Sequence, residues 1–401
     1  MTEGDDEARP GRITDEAVER LRGRIGKVFP IDEPYVRYVN RDSITHVLRA
    51  LGDTNPLYAD PEYAATTHHG RLVAPPAIFY AVAWGSWDLR RGQGLPGVHA
   101  LQSADKWQYL RPVYDGDEIH ATKELVKVDY LRGRLADTMI LQTNLIRFFN
   151  QREEAVALLE MSVVRLEREK AKRSGKHSSR PSPVYTAEDI ARIDAVMRSE
   201  IPRGAVPRYW DDVAVGEAVG PVVRGPLTVA DNICWIQGMG SPHLRTGKYW
   251  LEYRERSPDI AMVDPSTGIP QTVERMHWDE GLAAEIGARS AYDYGAQRGA
   301  TASYFASLWT GDDGWVAGVD VQYRGMVFTG DTYYITGQVE DVWRGARTGN
   351  GYVKVRIQAV NNLGEDVMPG WVTCALPTRH GGPVTFPVDV DADGRALATV
   401  P

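Results

Sequence analysis

Cysteine is nearly missing from this chain: there are two residues in 401, Cys234 and Cys374, far apart and with no partner motif. That argues against a disulfide framework and for buried free thiols in a reducing compartment. No uninterrupted apolar run approaches the roughly 20 residues that a membrane helix needs. The opening MTEGDDEARPGR is acidic and has no apolar centre, so no secretory signal is expected and a cytoplasmic location is the default. Excess positive charge is also missing. The 46 Lys and Arg stand against 54 Asp and Glu, and the net charge of −8 argues against a nucleic-acid surface. Glycine is plentiful, but the glycine-rich run at 311–314 lacks the spacing of a phosphate loop and reads as a turn.

What remains is an ordinary globular composition, 43% hydrophobic and 25% charged, long enough for two to three domains with their own cores. Residues 1–24 form a polar extension with at most a short helix. Residues 25–166 open with extended runs at 27–30 and 36–39. A helix at 42–51 follows, capped by Asp42 or Ser43, then a helical turn at 61–65 and a buried helix at 76–87. After residue 97 the period becomes that of strands, at 106–110, 118–128, 135–149 and 154–165. One helix on an antiparallel meander is an α+β domain. Residues 167–204 read as a linker and a helix, the latter over 186–200 with Thr186 and Asp189 as a cap pair. Lys170, Lys172, Arg173 and Lys176 in the linker fit a solvated charge run better than a phosphate site.

Residues 205–380 repeat the pattern. Strands are expected at 213–216 and 219–223, helices at 228–238 and 287–309, and further strands at 316–323, 332–340, 351–359 and 368–375. Residues 381–401 are a tail. Gly116-Asp117 and Gly330-Asp331 stand at the same place before their strands, as Arg111 and Arg324 do. This is an internal duplication with a period of about 200 residues, not a solenoid.

Chemistry concentrates in two stretches. In the second half, Arg275-Met276-His277-Trp278-Asp279 precedes a helical run at 280–286 and then Tyr292-Asp293-Tyr294-Gly295 at the mouth of the long helix. An imidazole moves a proton near neutral pH, and a helix start offers unpaired N–H groups to an oxygen becoming negative. His277 and Gly295 therefore stand out as catalytic candidates, with Asp293 as an acid near the same helix start and Glu274 as the alternative. Tyr292, Tyr294, Arg298 and Trp278 are candidate substrate contacts. Plainer readings exist for each. His277 can be a packed structural histidine, Asp279 and Asp293 helix caps, and the tyrosines core aromatics. Trp84, Trp87, Trp107, Trp309 and Trp315 fit a core better than a ligand cage. In the first half, Gly52-Asp53-Thr54-Asn55-Pro56 is a run of loop formers. Asp53 and Asn55 can hold it through side-chain-to-backbone bonds.

These residues carry a family likeness. Together with Ile25-Gly26-Lys27, Ala74-Pro75-Pro76, Leu95-Pro96-Gly97-Val98-His99 and Gly311-Asp312-Asp313-Gly314-Trp315, they make the chain resemble the MaoC-like hydratase/dehydratase superfamily in its double hot-dog form. The first half is similar to the FAS1-like dehydratase domain. The likeness spans residues 25–380, and the Gly-Asp-x-Asn-Pro run is its most specific part. It implies two tandem hot-dog domains, each a long helix wrapped by an antiparallel sheet, joined edge to edge as an internal pseudo-dimer. Pairing those edges would also remove an aggregation hazard. It implies hydration of an enoyl-CoA-type thioester, or dehydration of its 3-hydroxyacyl form. No metal or redox cofactor is implied, CoA or a carrier pantetheine being part of the substrate. A homodimer or a hetero-oligomer with another hot-dog protein is the implied assembly.

The family motif runs Gly-Asp-x-Asn-Pro-x-His, followed by a helix whose opening glycine donates an oxyanion N–H. In the first half Tyr58 replaces the histidine. The residue 18 positions after Tyr58 is Pro76, whereas the one 18 after His277 is Gly295. Proline has no N–H to donate. Asp53, Asn55 and Tyr58 thus read as a degenerate site. The second half keeps His277 and Gly295 but loses the aspartate. Thr272 stands five before His277, Gly238-Met239-Gly240-Ser241-Pro242 carries no acid, and an insertion at 245–273 lies between. The expectation is a hydratase active in its second half on a bulky acyl group. An acyl-binding subunit that completes a partner's site, or a thioesterase, stays open beside it.

Overall fold

The computed structural model describes residues 11–83, 95, 98–132, 138–167, 182–241, 243–264, 266–285 and 288–389. Trp84, Trp87, Pro96-Gly97, the four basic linker residues and most of the C-terminal tail lie outside them. Twelve strands are described: β1 Val28–Pro30, β2 His99–Tyr109, β3 Ile119–Leu131, β4 Met139–Asn150, β5 Ala155–Leu166, β6 Ala218–Arg224, β7 Ala261–Val263, β8 Pro270–Thr272, β9 Trp315–Gln322, β10 Tyr333–Arg344, β11 Gly351–Asn361 and β12 Gly370–Leu376. Ten form one antiparallel sheet in the order β1-β3-β4-β5-β2-β9-β12-β11-β10-β6, and β7 and β8 form a separate ribbon.

The duplication is visible in that order. β2 and β9 pair antiparallel from Ala104↔Gln322 to Gln108↔Gly318, so two meanders meet edge to edge. The turns before β3 and β10 are built alike. Asp117 accepts from the Tyr114 N–H and Asp331 from the Phe328 N–H, each at 2.9 Å, beside glycines with φ of 96° and 91°. Two tandem hot-dog halves thus form an internal pseudo-dimer.

Each half lays a helix on its sheet. In the second half Gly295–Thr310 is rich in Gly, Ala, Ser and Thr around Tyr304 and Phe305, and is buried nearly all round. Small side chains let it lie close to β9 and β2. The first-half helix, described over Ile78–Ala83, is wholly buried. Where the two helices approach, one residue must yield. A Cβ on Gly299 would sit 2.4 Å from the hydroxyls of both Tyr80 and Tyr323. Both hydroxyls donate to Asp105, at 2.7 Å each, with Gln102 as a third donor. Asp105 is fully buried at the seam, and three donors satisfy it. Around it pack Trp107, Tyr109, Phe79 and Phe148.

Some local expectations need correction. The helix Arg41–Leu51 is capped by Asn40, in a reciprocal box with Ser43, not by Asp42 or Ser43. Residues 213–216 form a turn after Trp210–Asp212, with Gly216 at positive φ, instead of a strand. Residues 36–39 reach the sheet only through a Tyr38↔Glu118 bridge. The long helix starts at Gly295 rather than 287, because Tyr292 bridges Phe328 and the Asp293 N–H bonds the Val327 carbonyl, which keeps this segment extended. Cys374 is buried as expected, but Cys234 lies on the outer face of the helix Val229–Met239 and is exposed. The N-terminal helix Asp15–Arg22 is docked, burying Ala17, Val18 and Leu21 against Leu125, Val128 and Ile140.

Candidate active site

His277 ends a one-turn 3₁₀ segment, Val273–His277, which Thr272 opens by accepting from the Glu274 N–H. The first-half motif has the same construction: Asp53 accepts from the Asn55 N–H at 2.9 Å, and Asn55 caps Pro56–Ala59. The following caps correspond as well, with Asp60 accepting from Glu62 and Tyr63 and Asp279 from Leu282. Thr272 therefore occupies the place of Asp53, Glu274 that of Asn55, and His277 that of Tyr58.

The imidazole is half-buried. Its Nδ1 lies 2.9 Å from the Tyr292 carbonyl, which can only accept, so Nδ1 carries the proton and Nε2 presents a lone pair. Burial holds its pKa down at about 4, and the Tyr292 carbonyl pulls the other way without prevailing. The ring is therefore neutral through the physiological range. One face stacks on Tyr294 at 3.8 Å between centroids, and Tyr292 packs edge-on at 4.8 Å. Asn232, fully buried on the helix Val229–Met239, donates to the carbonyls of His277 (2.6 Å) and Tyr292 (3.2 Å) and ties the two strands of the site together. A lone helical Asn carries no sequence signal for that role.

The helix start is open. The Gln297 N–H returns to the Tyr294 carbonyl and the Gln297 side chain accepts from the Tyr294 N–H. Among the described residues nothing accepts from the N–H of Gly295, which is only half-buried. The glycine also makes room: a Cβ there would come within 3.1 Å of the Tyr323 ring.

The remaining candidates divide. The Tyr294 hydroxyl donates to Glu274 Oε1 at 2.8 Å, and the other carboxylate oxygen bonds the Ser241 hydroxyl. Glu274 is buried, which raises its pKa against the pull of those two hydroxyls. The Tyr292 hydroxyl donates to the Met276 sulfur. Trp278 closes the 3₁₀ turn. Asp293 is not brought to the imidazole. Its carboxylate pairs with the Arg298 guanidinium at 2.8 Å and accepts from the Val327 N–H. Burial raises Asp293 to about 6 despite that partner. Arg298 is equally buried and donates another N–H to the Val367 carbonyl.

The first-half site is closed by the second half. Around the Tyr58 hydroxyl lie Asp53, Asp312 and Ser307. Burial drives the Tyr58 phenol well above its ordinary value, so it cannot take up a proton as His277 can. Burial raises Asp53 to about 6, with Arg224 opposing. Arg224 itself pairs with Glu200, bonds the Leu51 carbonyl and lies over the Tyr304 ring.

Comparison with known proteins agrees with this architecture. Residues 25–159 match the family model of the FAS1-like dehydratase domain region. A UPF0336 protein of Streptomyces avermitilis is 30% identical over 116 residues, covering 27% of this chain and 73% of that protein. A "Probable enoyl-CoA hydratase alpha subunit" of Thermomonospora curvata is 22% identical over 200 residues, 46% of this chain and 63% of that subunit. Among solved structures, a MaoC-like dehydratase superposes with a TM-score of 0.60 at 21% identity, over 89% of this chain and 99% of its own. A conserved hypothetical protein of Mycobacterium tuberculosis, described as a double hotdog fold, gives 0.53 at 14% identity over 89% and 98%. Those two likenesses concern the fold. The chain thus belongs with the UPF0336 proteins, carries a FAS1-like dehydratase region in its first half, and has the double hot-dog fold seen in MaoC-like dehydratases.

Proposed function

We propose that the protein adds water across the double bond of an enoyl thioester, or removes it from the 3-hydroxyacyl form, in its second half. The observation that carries this reading is the hydrogen bond from His277 Nδ1 to the Tyr292 carbonyl. It leaves Nε2 as a proton acceptor beside a helix start whose Gly295 N–H is unclaimed among the described residues. In hydration, Nε2 takes a proton from water as the oxygen bonds to Cβ. The π electrons move toward the thioester carbonyl, and the Gly295 N–H accommodates the enolate oxygen. CoA or a carrier pantetheine enters as part of the substrate, in no need of a further cofactor. With the first half sealed, a bulky acyl group is the substrate class that suits one working half. The site asks for a soluble thioester and for neither nucleic acid nor membrane. The test is the ultraviolet absorbance of conjugated enoyl-CoAs of increasing bulk, mixed with the wild-type chain. Loss of conjugation supports the reading; saturable binding without loss refutes it.

A second reading has an observation of its own, the name of the Thermomonospora curvata relative, which is a subunit. On that reading the chain binds the acyl group and turns it over only beside a partner hot-dog protein. Addition of the partner would then be needed for any loss of conjugation.

The first half supplies a control. Asp53→Asn keeps the oxygen that accepts from the Asn55 N–H and removes only the charge. Turnover in the same absorbance assay should be unchanged. A large loss would mean that the working half is the first.

A further inference from the structure

The second-half site has an imidazole and an oxyanion donor but no aspartate at the family's position, and the fold shows where the missing acid went. The first-half motif is continuous: helix Arg41–Leu51, its capping glycine Gly52 with φ of 67°, then Asp53. The second half begins the same way, with helix Val229–Met239, capping glycine Gly240 with φ of 75°, then Ser241. There the chain departs through residues 242–271, which carry the helix Gly247–Arg256 and the β7–β8 ribbon, and returns at Thr272. Counted from the helix, Ser241 stands where Asp53 stands. Counted from the histidine, Thr272 does. Neither bears a carboxylate. Glu274, on the far side of the insertion, reaches back and bonds the Ser241 hydroxyl.

We infer that Glu274 is the carboxylate of this site, standing at the Asn55 position of the motif and held against Ser241, the residue that follows its capping glycine as Asp53 follows Gly52. The inference rests on the hydratase reading. The two hydroxyls favour the ionised form, against the burial that raises its pKa. The Ser241 oxygen already accepts from the N–H groups of His243 (3.0 Å) and Leu244 (3.1 Å), so its own hydrogen points to Glu274. Tyr294 donates to the other carboxylate oxygen. Glu274 thus accepts twice, as an ionised carboxylate does, and keeps lone pairs for a third partner. The connection to His277 runs through Tyr294. The two residues are three apart on a 3₁₀ turn, where side chains eclipse, and Tyr294 bonds one and stacks on the other. Arg245 is the charged group that faces Glu274 from the insertion.

The carboxylate completes the reaction. Once water has given a proton to Nε2 and its oxygen to Cβ, Cα still needs a proton. Glu274 gives it one, received from the imidazolium by way of a solvent water, so that the imidazole ends neutral and the carboxylate ionised, as they began. Dehydration runs the same steps in reverse, with Glu274 removing the Cα proton.

Glu274→Gln preserves the shape and both hydroxyl contacts but cannot carry the proton. It should lower kcat by about 10²–10⁴-fold with little change in KM. The part of the fall at acid pH that Glu274 sets should also vanish, leaving the fall that His277 sets near pH 4. The decisive variant returns the acid to the motif: Ser241→Asp in a Glu274→Ala background should recover a substantial part of the loss, as Glu274→Asp should. If Glu274→Gln melts below the assay temperature, those two variants decide alone. Near-wild-type turnover of Glu274→Gln, or no recovery by either carboxylate, would overturn the assignment while His277→Ala stays inactive and the hydratase reading stands. A wild-type chain with no turnover on any enoyl thioester removes both.

Discussion

His277→Ala should lower turnover of an enoyl thioester by about 10²–10⁴-fold, the range that a positioned general base contributes. At about 1.36 kcal/mol per factor of ten, this is roughly 3–5.5 kcal/mol of barrier. The fold should survive. The Tyr292 carbonyl keeps the Asn232 amide as donor when the imidazole is gone, and the histidine is only half-buried. The cost in stability should also depend on pH in a specific direction. Burial holds His277 at about 4, below its ordinary 6.5, so between those values the unfolded chain binds the proton that the folded chain refuses. Wild-type stability therefore falls as pH drops from about 6.5 toward 4 on account of this group. The alanine variant, lacking it, should lose less over the same range. Kinetics at neutral pH and denaturant melts at pH 7 and 5 check both halves of the statement. Unchanged turnover would make His277 a packing residue.

The duplication, the strand meanders and the exceptional character of residues 275–279 and 292–295 could be read from the sequence because each has local causes. Gly-Asp before β3 and β10 makes the same turn twice, and alternation marks the strands whichever edge they pair with. Relations that depend on closure of the fold could not be read in that way. Ser241 and Glu274 are separated by the whole insertion, and only the packed structure makes them partners. The register of the two motif copies is ambiguous from the sequence, since counting from the helix and counting from the histidine give different residues. The hydrogen bonds at Thr272 and Asp53 remove the ambiguity. Asn232 gave no signal because its partners are main-chain carbonyls, which every residue has. Asp293 was attractive by position next to the helix start. What turned it away was Arg298, a guanidinium too deeply buried to lack a counter-ion.

That pair predicts the largest effect on stability. Arg298→Met should destabilise the fold by about 3–5 kcal/mol near pH 8, because it leaves Asp293 buried without its counter-ion. The bond to the Val367 carbonyl and the guanidinium's place over the Tyr323 ring, 5.1 Å from its centroid, go with it. The sign of the pH dependence separates lost charge from lost packing. Asp293 sits at about 6 in the folded chain even with Arg298 present, above the ordinary carboxylate value of 3.8. A group raised on folding supports stability fully below its unfolded value and loses that support as pH climbs through its folded value. Removing Arg298 lifts the folded value further, so the penalty should be greatest at pH 8 and shrink toward pH 4, where the folded carboxyl is neutral with or without Arg298. Adding Asp293→Asn to Arg298→Met should recover much of the loss at pH 8 and little at pH 4. Denaturant melts of the three variants at the two pH values are the measurement. A penalty equal at both, untouched by Asp293→Asn, would show that packing and not charge is what Arg298 supplies. Because Asp293 joins the Tyr292 carbonyl that orients His277 to the Gly295 N–H, turnover of Arg298→Met should fall with its stability. On the hydratase reading the pair acts by holding the segment from Tyr292 to Gly295 in place.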